Sequence, residues 1–358
     1  MKFLTYITTI MVNHTGKKIA ILGSGYGLTE LFPVLDSFSD VKTYFMKPRI
    51  SSIHKDLTLP NFTEFKSFDS ILSDHEIRLV FLALPPAQHL NYFEELSRNG
   101  KSVYLEKPVG LNQAEAQKIS QISSESNKNL YIGFQFRFDP GLEFFVQQTD
   151  EIRKSNPNFK VAVVWEIAEI GNSKKSWKLE IDSGGGVFRD HLCHMIDYIR
   201  NSLEFGDDNH ISNMLQLKSD PSKLLNQVVL ESDRLSISIC RGSFEKSSWS
   251  VTISNGGDIR KISSFYPFTL DSYKFEFGEL GCTTEVEHDW NLKKLTLRKT
   301  SRFIESRKIA LQHYADKVFE NEETGLPESE RLLLPSIADA VYTQKISDKL
   351  ISVKSSNF

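Results

Sequence analysis

The stretch Ser183-Gly184-Gly185-Gly186-Val187-Phe188-Arg189-Asp190-His191-Leu192-Cys193-His194-Met195-Ile196-Asp197 holds the residue types best suited to proton chemistry. Three glycines run into a pattern that reads as a helix. At ~100° per residue, Asp190, His194 and Asp197 fall within about 60° of one another. Leu192, Met195, Ile196 and Ile199 gather on the opposite side, where a helix is pinned to a core. A glycine turn permits close backbone approach, so the segment offers an acid and an imidazole on one face, the floor of a candidate active site. A histidine near neutral pH is a natural general base. Asp-His-x-Cys-His-x-x-Asp also invites a metal reading. His191, however, lies ~100° around the helix from Asp190, and no second ligand cluster with metal spacing accompanies it, so no metal is expected.

These side chains need a platform. Lys18-Ile19-Ala20-Ile21-Leu22 is a short apolar run ending at Gly23-Ser24-Gly25-Tyr26-Gly27, followed by a helical pattern from about Leu28 to Ser37. A buried strand, a glycine turn and a helix N-terminus make a diphosphate cradle. Gly23 permits the tight turn, Gly25 lets backbone approach a pyrophosphate, Tyr26 and Gly27 complete the turn, and the helix end offers N–H groups. Leu28 stands where G-x-G-x-x-G has its third glycine, and Pro33 predicts a kink or an early stop. Val41–Met46, Leu79–Leu84, Ser102–Leu105 and Leu130–Phe134 read as strands. Asn91–Arg98 and Gln113–Ser124 read as helices, the second opened by Asn112. This alternation predicts a doubly wound parallel sheet with its ligands beyond the carboxyl ends of the strands. The residues there are the glycine turn, Pro85, Pro86 and His89, and Glu106-Lys107-Pro108. After the second strand, where an acid usually meets the adenosine ribose, the chain reads Met46-Lys47-Pro48-Arg49, then Ser51 and Ser52. Lys47 and Arg49 match a 2′-phosphate better than a bare hydroxyl pair, so NADP(H) is favoured over NAD(H).

Pro85-Pro86-x-x-His89, Glu106-Lys107-Pro108, Gly133-Phe134-x-Phe136-Arg137-Phe138-x-Pro140 and Gly184-Gly185-x-x-x-x-Asp190-x-x-x-His194 follow one another in order. With the glycine turn, they resemble the Gfo/Idh/MocA oxidoreductases, the glucose–fructose oxidoreductase, inositol dehydrogenase and rhizopine-catabolism family. The likeness runs from Lys17 to about Val353. It implies a two-domain NAD(P)-dependent enzyme acting mostly on sugars, sugar derivatives or cyclitols. The family's catalytic lysine corresponds to Lys107 and its acid and histidine to Asp190 and His194. Oxidising a secondary alcohol needs a base for the hydroxyl proton, which His194 supplies, while Lys107 stabilises developing alkoxide charge. Asp190 orients or tunes His194, or binds a substrate hydroxyl. His89 reads as structural or cofactor-facing. Arg137 either braces the domain junction or contacts substrate. Trp177, just before the glycines, either contacts substrate or packs.

From Phe159 onward the pattern changes. Val161, Val163, Trp165 and Ile167 alternate with less apolar neighbours, and short alternating runs continue through Met214–Lys218, Gln227–Glu231, Leu235–Arg241, Trp249–Ser254, Ile259–Phe265, Tyr273–Phe277 and Lys293–Leu297. Such runs, with turns like Asn255-Gly256-Gly257, predict a large, mainly antiparallel, open-faced sheet in an α+β domain. Its uncovered face is the expected route to a homodimer or homotetramer, as in similar proteins. Arg307–Glu320 reads as a helix, and Arg331–Ile351 as another with Pro335 in its first turn. The fold class is therefore α/β in four parts. Residues 1–16 form a leader, 17–135 a Rossmann domain, 136–305 the substrate and oligomerisation domain, and 306–358 helices that return to the nucleotide domain.

At 358 residues the chain is long enough for two cores, and 46 acids against 43 bases leave no basic footprint for nucleic acid. Three cysteines without close spacing make no disulfide framework. The opening Met1–Met11 run is short, broken by threonines and without a cleavage site, so Met11 is a second candidate start. No run approaches the ~20 apolar residues of a membrane span. A cytoplasmic protein is expected, with a carbohydrate-like substrate and no nucleic-acid or membrane partner. The competing classes are a non-catalytic nucleotide-binding relative, which intact Lys107, Asp190 and His194 disfavour, and a lyase or glycosidase using tightly held NAD.

Overall fold

The computed structural model describes residues 18–35, 42–46, 62–65, 67–169, 177–205, 216–218, 224–266, 268–279, 282–286 and 306–355. The leader, the Lys47–Arg49 pair with Ser51 and Ser52, and the strand expected at Lys293–Leu297 lie outside these residues.

The first half runs β1 (Lys18–Leu22), a π-helical turn (Gly27–Leu31) continuing as α1 (Phe32–Leu35), β2 (Lys42–Met46), β3 (Phe62–Phe65), α2 (Phe68–Ser73), β4 (Ile77–Leu82), α3 (Pro86–Arg98), β5 (Ser102–Leu105), α4 (Gln113–Glu125) and β6 (Leu130–Ile132). The six strands form one parallel sheet in the order β3-β2-β1-β4-β5-β6. Ile19 and Ile21 face Leu28, Leu31 and Phe32 on one side, while Ala20 and Leu22 face Phe93, Leu96 and Ile119 on the other. A strand buried on both faces reads as a continuous apolar run, which is why β1 was legible. The strand order reverses between β1 and β4, so the loops after β1, β4 and β5 share the carboxyl edge where ligands of such sheets sit.

Local departures from the expected elements have identifiable causes. Pro33 lacks the N–H that an α-helix would bond to Thr29, and the turn before it widens, with Phe32 N–H donating to the Gly27 carbonyl. α3 starts at Pro86, five residues before Asn91, because a proline fits the first helical position. β3 and α2 had no counterpart in the pattern. β6 ends at Ile132, and Gln135–Phe138 forms a 3-10 turn instead of more strand.

The second half runs α5 (Pro140–Ser155), β7 (Lys160–Ala168), 3-10 turns at Trp177–Leu179 and Ile181–Ser183, α6 (Val187–Asp190), α7 (Leu192–Asn201), β8 (Gln216–Leu217), β9 (Gln227–Glu231), β10 (Leu235–Gly242), β11 (Ser248–Asn255), β12 (Asp258–Phe265), β13 (Lys274–Glu279) and β14 (Cys282–Val286). These strands form a second sheet, β14-β13-β12-β11-β7-β10-β9-β8, antiparallel at every junction except β7–β10, which is parallel. Val161, Val163 and Trp165 on β7, Leu235, Ile237 and Ile239 on β10, and Trp249, Val251 and Ile253 on β11 share one core with Leu142 and Phe145 of α5 and Met195, Ile196 and Ile199 of α7. The chain then adds α8 (Ser306–Glu323), α9 (Glu328–Arg331) and α10 (Ile337–Ser355). α8 covers the β1 face through Tyr314, Val318 and Phe319, and α10 packs against α4 and α7.

Two helices expected as single pieces are broken. The Asp190–Ser202 helix divides at His191 (φ −117°, ψ −45°) into α6 and α7. Pro335 does not lie in the first turn of a continuous helix: it separates α9 from α10. Asp339 caps the new start by accepting from the Ser336 N–H and hydroxyl, both at 2.9 Å.

Candidate functional site

Backbone geometry at the carboxyl edge of the first sheet is set by two glycines. Gly23 has φ +129°, and a Cβ there would overlap the Ala83 carbonyl oxygen at the end of β4. Gly27, out of step with the usual third glycine, does that glycine's packing work: a Cβ would meet the Ile21 side chain at 2.9 Å. Gly25, by contrast, opens onto empty space, with nothing within 4 Å of a Cβ, and its carbonyl accepts from Leu28 and Thr29 N–H to start the helical turn. An open backbone at a strand end ahead of a helix fits a pyrophosphate. Gly23→Ala is therefore expected to lower cofactor affinity at least tenfold and to destabilise the fold by about 1–3 kcal/mol through forced backbone strain. Calorimetric titration and thermal melts check this, and unchanged values for both would remove Gly23 from the cradle.

Tyr26 is half-buried, and its hydroxyl accepts from Gln135 Nε2 at 3.2 Å, so it ties the glycine turn to the 3-10 turn after β6. Pro85 and Pro86 open α3, and His89 one turn later is fully buried, its Nε2 2.7 Å from the Leu84 carbonyl oxygen. Burial holds that imidazole down to about 4. The neutral His89 ring pins the loop after β4 through this bond.

Glu106 and Lys107 follow β5. Glu106 is buried, accepts from the Tyr104 hydroxyl at 3.2 Å and from the Lys107 N–H at 3.3 Å, and crowds Gly133 so closely that a Cβ there would stand 2.9 Å from its Oε2. Burial pushes the Glu106 carboxyl up to about 7 despite the Lys107 charge beside it. Lys107 Nζ crosses to the other half of the molecule and donates to the Asp190 carbonyl oxygen at 2.6 Å and to Asp190 Oδ1 at 2.8 Å. Burial disfavours its charge, but the Asp190 carboxylate more than offsets that, so Lys107 stays protonated above its ordinary value.

Asp190 holds two cations. Lys178 Nζ, from the 3-10 turn, donates to Asp190 Oδ2 at 2.9 Å. Burial would raise this carboxyl, yet Lys107 and Lys178 together keep it well below the usual carboxylate range. The glycine run is what brings Lys178 there. Gly186 N–H donates to the Lys178 carbonyl at 2.9 Å, and a Cβ at Gly185 would overlap the Trp177 carbonyl. At Gly184 (φ +91°) a Cβ would meet Pro86 at 2.9 Å, so this glycine lets the two halves close on each other. Trp177 sits under the Lys178 ammonium, 5.7 Å from the ring centroid.

The Asp190 carboxylate is turned to the lysines, while its charge still acts on His194. Both carboxylate oxygens of Asp190 are engaged by lysines, and the helix break at His191 invalidates the 100° extrapolation. His194 is 4% exposed and stacks on Phe136, with centroids 4.5 Å apart and 14° between planes, while Phe134 meets its edge. Its Nδ1 is buried with no hydrogen-bond partner. Burial first and the Lys107 charge second hold the imidazole well below its ordinary value. His191 Nδ1 lies 3.8 Å from Asp190 Oδ2, and burial holds this imidazole down to about 3. Asp197 turns away to Arg137, which donates from Nε at 2.9 Å and Nη2 at 2.5 Å and also pairs with Asp339 of α10 at 2.8 Å. Arg137 therefore braces α7 against α10. Among the described residues no group of His, Cys, Asp or Glu could hold a metal ion, and no helix is long and apolar enough to cross a membrane.

The sequence profile of an oxidoreductase family with an NAD-binding Rossmann fold, Gfo/Idh/MocA, matches residues 17–134. Inositol 2-dehydrogenase from Rhizobium meliloti (strain 1021) is 26% identical over 138 residues, 38% of this chain and 40% of that protein. This chain thus matches less than half the length of that relative. Among solved structures, levoglucosan dehydrogenase in complex with NADH superposes with a TM-score of 0.70 at 14% identity, covering 96% of this chain and 98% of that one. A 3-ketoreductase from Actinomadura kijaniata in complex with NADP and TDP-benzene gives 0.66 at 11% identity, covering 93% and 96%. At these identities the structural likeness shows the shared two-sheet fold. Residues 17–134 match the NAD-binding Rossmann unit of the Gfo/Idh/MocA oxidoreductases, and the whole chain shares the two-sheet fold of solved structures of that kind.

Proposed function

We propose that the protein is an NAD(P)-dependent dehydrogenase or reductase acting on a secondary alcohol or ketone of a sugar, sugar derivative or cyclitol. Lys107 and His194 are the residues assigned to the reacting oxygen. The observation that carries this reading is the buried Lys107–Asp190 pair, which locks a cation from the β5 loop against the glycine turn of the other half. Residues 17–135 would hold the cofactor, with Gly23, Gly25, Tyr26, Gly27, Pro85, Pro86 and Glu106 around it, and residues 136–305 the substrate. When bound, the nicotinamide supplies or receives the hydride. Lys107, kept cationic by Asp190, donates a hydrogen bond to the substrate oxygen and stabilises alkoxide charge there. His194, kept neutral by burial, accepts the hydroxyl proton in oxidation and returns it in reduction. Asp190 acts through Lys107 as a positioning residue.

That similar proteins include an inositol 2-dehydrogenase, a levoglucosan dehydrogenase and a 3-ketoreductase supports this substrate class. Lys47 and Arg49 support NADP(H) over NAD(H). A second copy would pair on the outer face of the large sheet, where β7 presents Ala162 and Val164, the latter 44% exposed, beside Ser250 and Thr252 of β11. Titrating the protein with NADPH and NADH by fluorescence, then screening inositols and sugars with the oxidised cofactors, tests the reading. NADPH is expected to bind more tightly, with hydride transfer to at least one polyol. Absence of binding by both cofactors would overturn the functional reading, and equal or reversed affinities the cofactor preference alone.

A further inference from the structure

The inward-facing row of β10 ends in a cation. Leu235, Ile237 and Ile239 are buried on the side that faces α6 and α7, and strand alternation carries Arg241 to the same side. In the register with β7, Ile239 lies opposite Trp165 and Arg241 opposite Ile167. The Trp165 ring meets the His191 ring at 4.8 Å, perpendicular to it, which places this end of the strand at the wall of the Asp190–His194 floor. Burial keeps His191 unprotonated; the Asp190 charge opposes this, and the charges of Lys107, Lys178 and Arg241 reinforce it. Arg241 Nη1 is buried without a hydrogen-bond partner, and no carboxylate pairs with this guanidinium among the described residues.

The wall therefore carries three cations, Lys107, Lys178 and Arg241. Asp190 is the carboxylate held between the two lysines, and Glu106 is partly protonated at neutral pH. A neutral polyol presents donors and acceptors in balance and does not need this excess. Arg241 is half-buried, but a guanidinium nitrogen buried with an unused N–H is costly unless a ligand supplies the missing acceptor, and its planar fork matches an oxyanion. We propose that the substrate is a sugar or cyclitol bearing an anionic group, a carboxylate or a phosphate ester, received by Arg241 at the end of β10. The inference rests on the functional reading above and narrows its substrate class.

The test is calorimetric binding of D-glucose, D-glucuronate and D-glucose 6-phosphate to protein saturated with NADPH or NADH. Cofactor binding in the first step reports on the functional reading, and sugar discrimination in the second reports on this one. At least one anionic sugar is expected to bind tenfold or more tightly than glucose, the scale of a charge-assisted hydrogen bond, about 10–100-fold. A preference for glucuronate identifies a carboxylate, and one for glucose 6-phosphate a phosphate. Arg241→Gln is expected to bring the anion-to-glucose ratio to within about threefold, and Arg241→Lys to restore part of it, because only the lysine returns the positive charge. Thermal melts establish that both variants are folded. Three results would overturn the proposal: glucose binding as tightly as both anions, Arg241→Gln weakening all three sugars equally, or none of the three binding once the cofactor is in place.

Discussion

Lys107→Ala is expected to lower kcat by ~10²-fold or more while leaving cofactor affinity within a few-fold of the parent, because a preorganised donor aimed at developing charge contributes on that scale. Lys107 is only 11% exposed and lies between the carbonyl and carboxylate oxygens of Asp190. Its removal leaves Asp190 buried with Lys178 alone, a lysine whose side chain is 46% exposed. A melting temperature a few degrees lower should therefore accompany the catalytic loss, since breaking a buried pair strands a charge. Arg at this position should not rescue: a planar guanidinium cannot reproduce a compact ammonium held by two oxygens of one residue. Asp190→Asn should give a smaller loss in kcat than Lys107→Ala, as the lysine would remain but lose its main counter-charge. Stopped-flow measurement of the hydride step, with NADPH fluorescence titration alongside, separates chemistry from binding. Normal turnover by Lys107→Ala would remove this lysine from the mechanism.

How much of this arrangement was legible in the sequence follows from which features are local. β1, the glycine turn and β4 were readable because a strand buried on both faces leaves an unbroken apolar run. The alternation in β7, β10 and β11 was readable because one face packs and the other does not. α5 was missed although its start was signalled by Asp139, which caps Gly141 and Leu142 N–H, and by Pro140 at the first helical position. The parallel pairing of β7 with β10 is a property of the crossover through α6 and α7, which periodicity does not encode. The same limit applies at the site. Lys107, Asp190 and His194 were identifiable as types, but which oxygen faces which nitrogen depends on a helix break at His191 that a 100° wheel does not anticipate. The company kept by Lys178 and Arg241 is likewise tertiary, set by glycine packing and by strand register.

His194 is expected to be needed for turnover and yet not to set the pH at which turnover changes. His194→Gln should lower kcat by ~10²–10⁴-fold, the usual scale of general acid–base catalysis. Sequence type alone places a histidine pKa near 6.5, but burial and the neighbouring Lys107 charge hold this one well below that value. Near neutral pH the ring is therefore unprotonated and able to accept a proton, and any acid limb it causes lies well below pH 6.5. The group that does change charge near neutrality is Glu106, raised to about 7 by burial. Above that pH it becomes a carboxylate next to Lys107 and strengthens the lysine's hold on its proton. Below it the Lys107 surroundings gain positive charge. An inflection in kcat/KM near pH 7 should thus persist in His194→Gln at reduced amplitude and disappear in Glu106→Gln, whose amide cannot ionise. The reverse outcome, an inflection near 6.5 lost with His194 and retained without the Glu106 carboxyl, would mean that the imidazole titrates in contact with water, and the stacked, buried base would have to be abandoned.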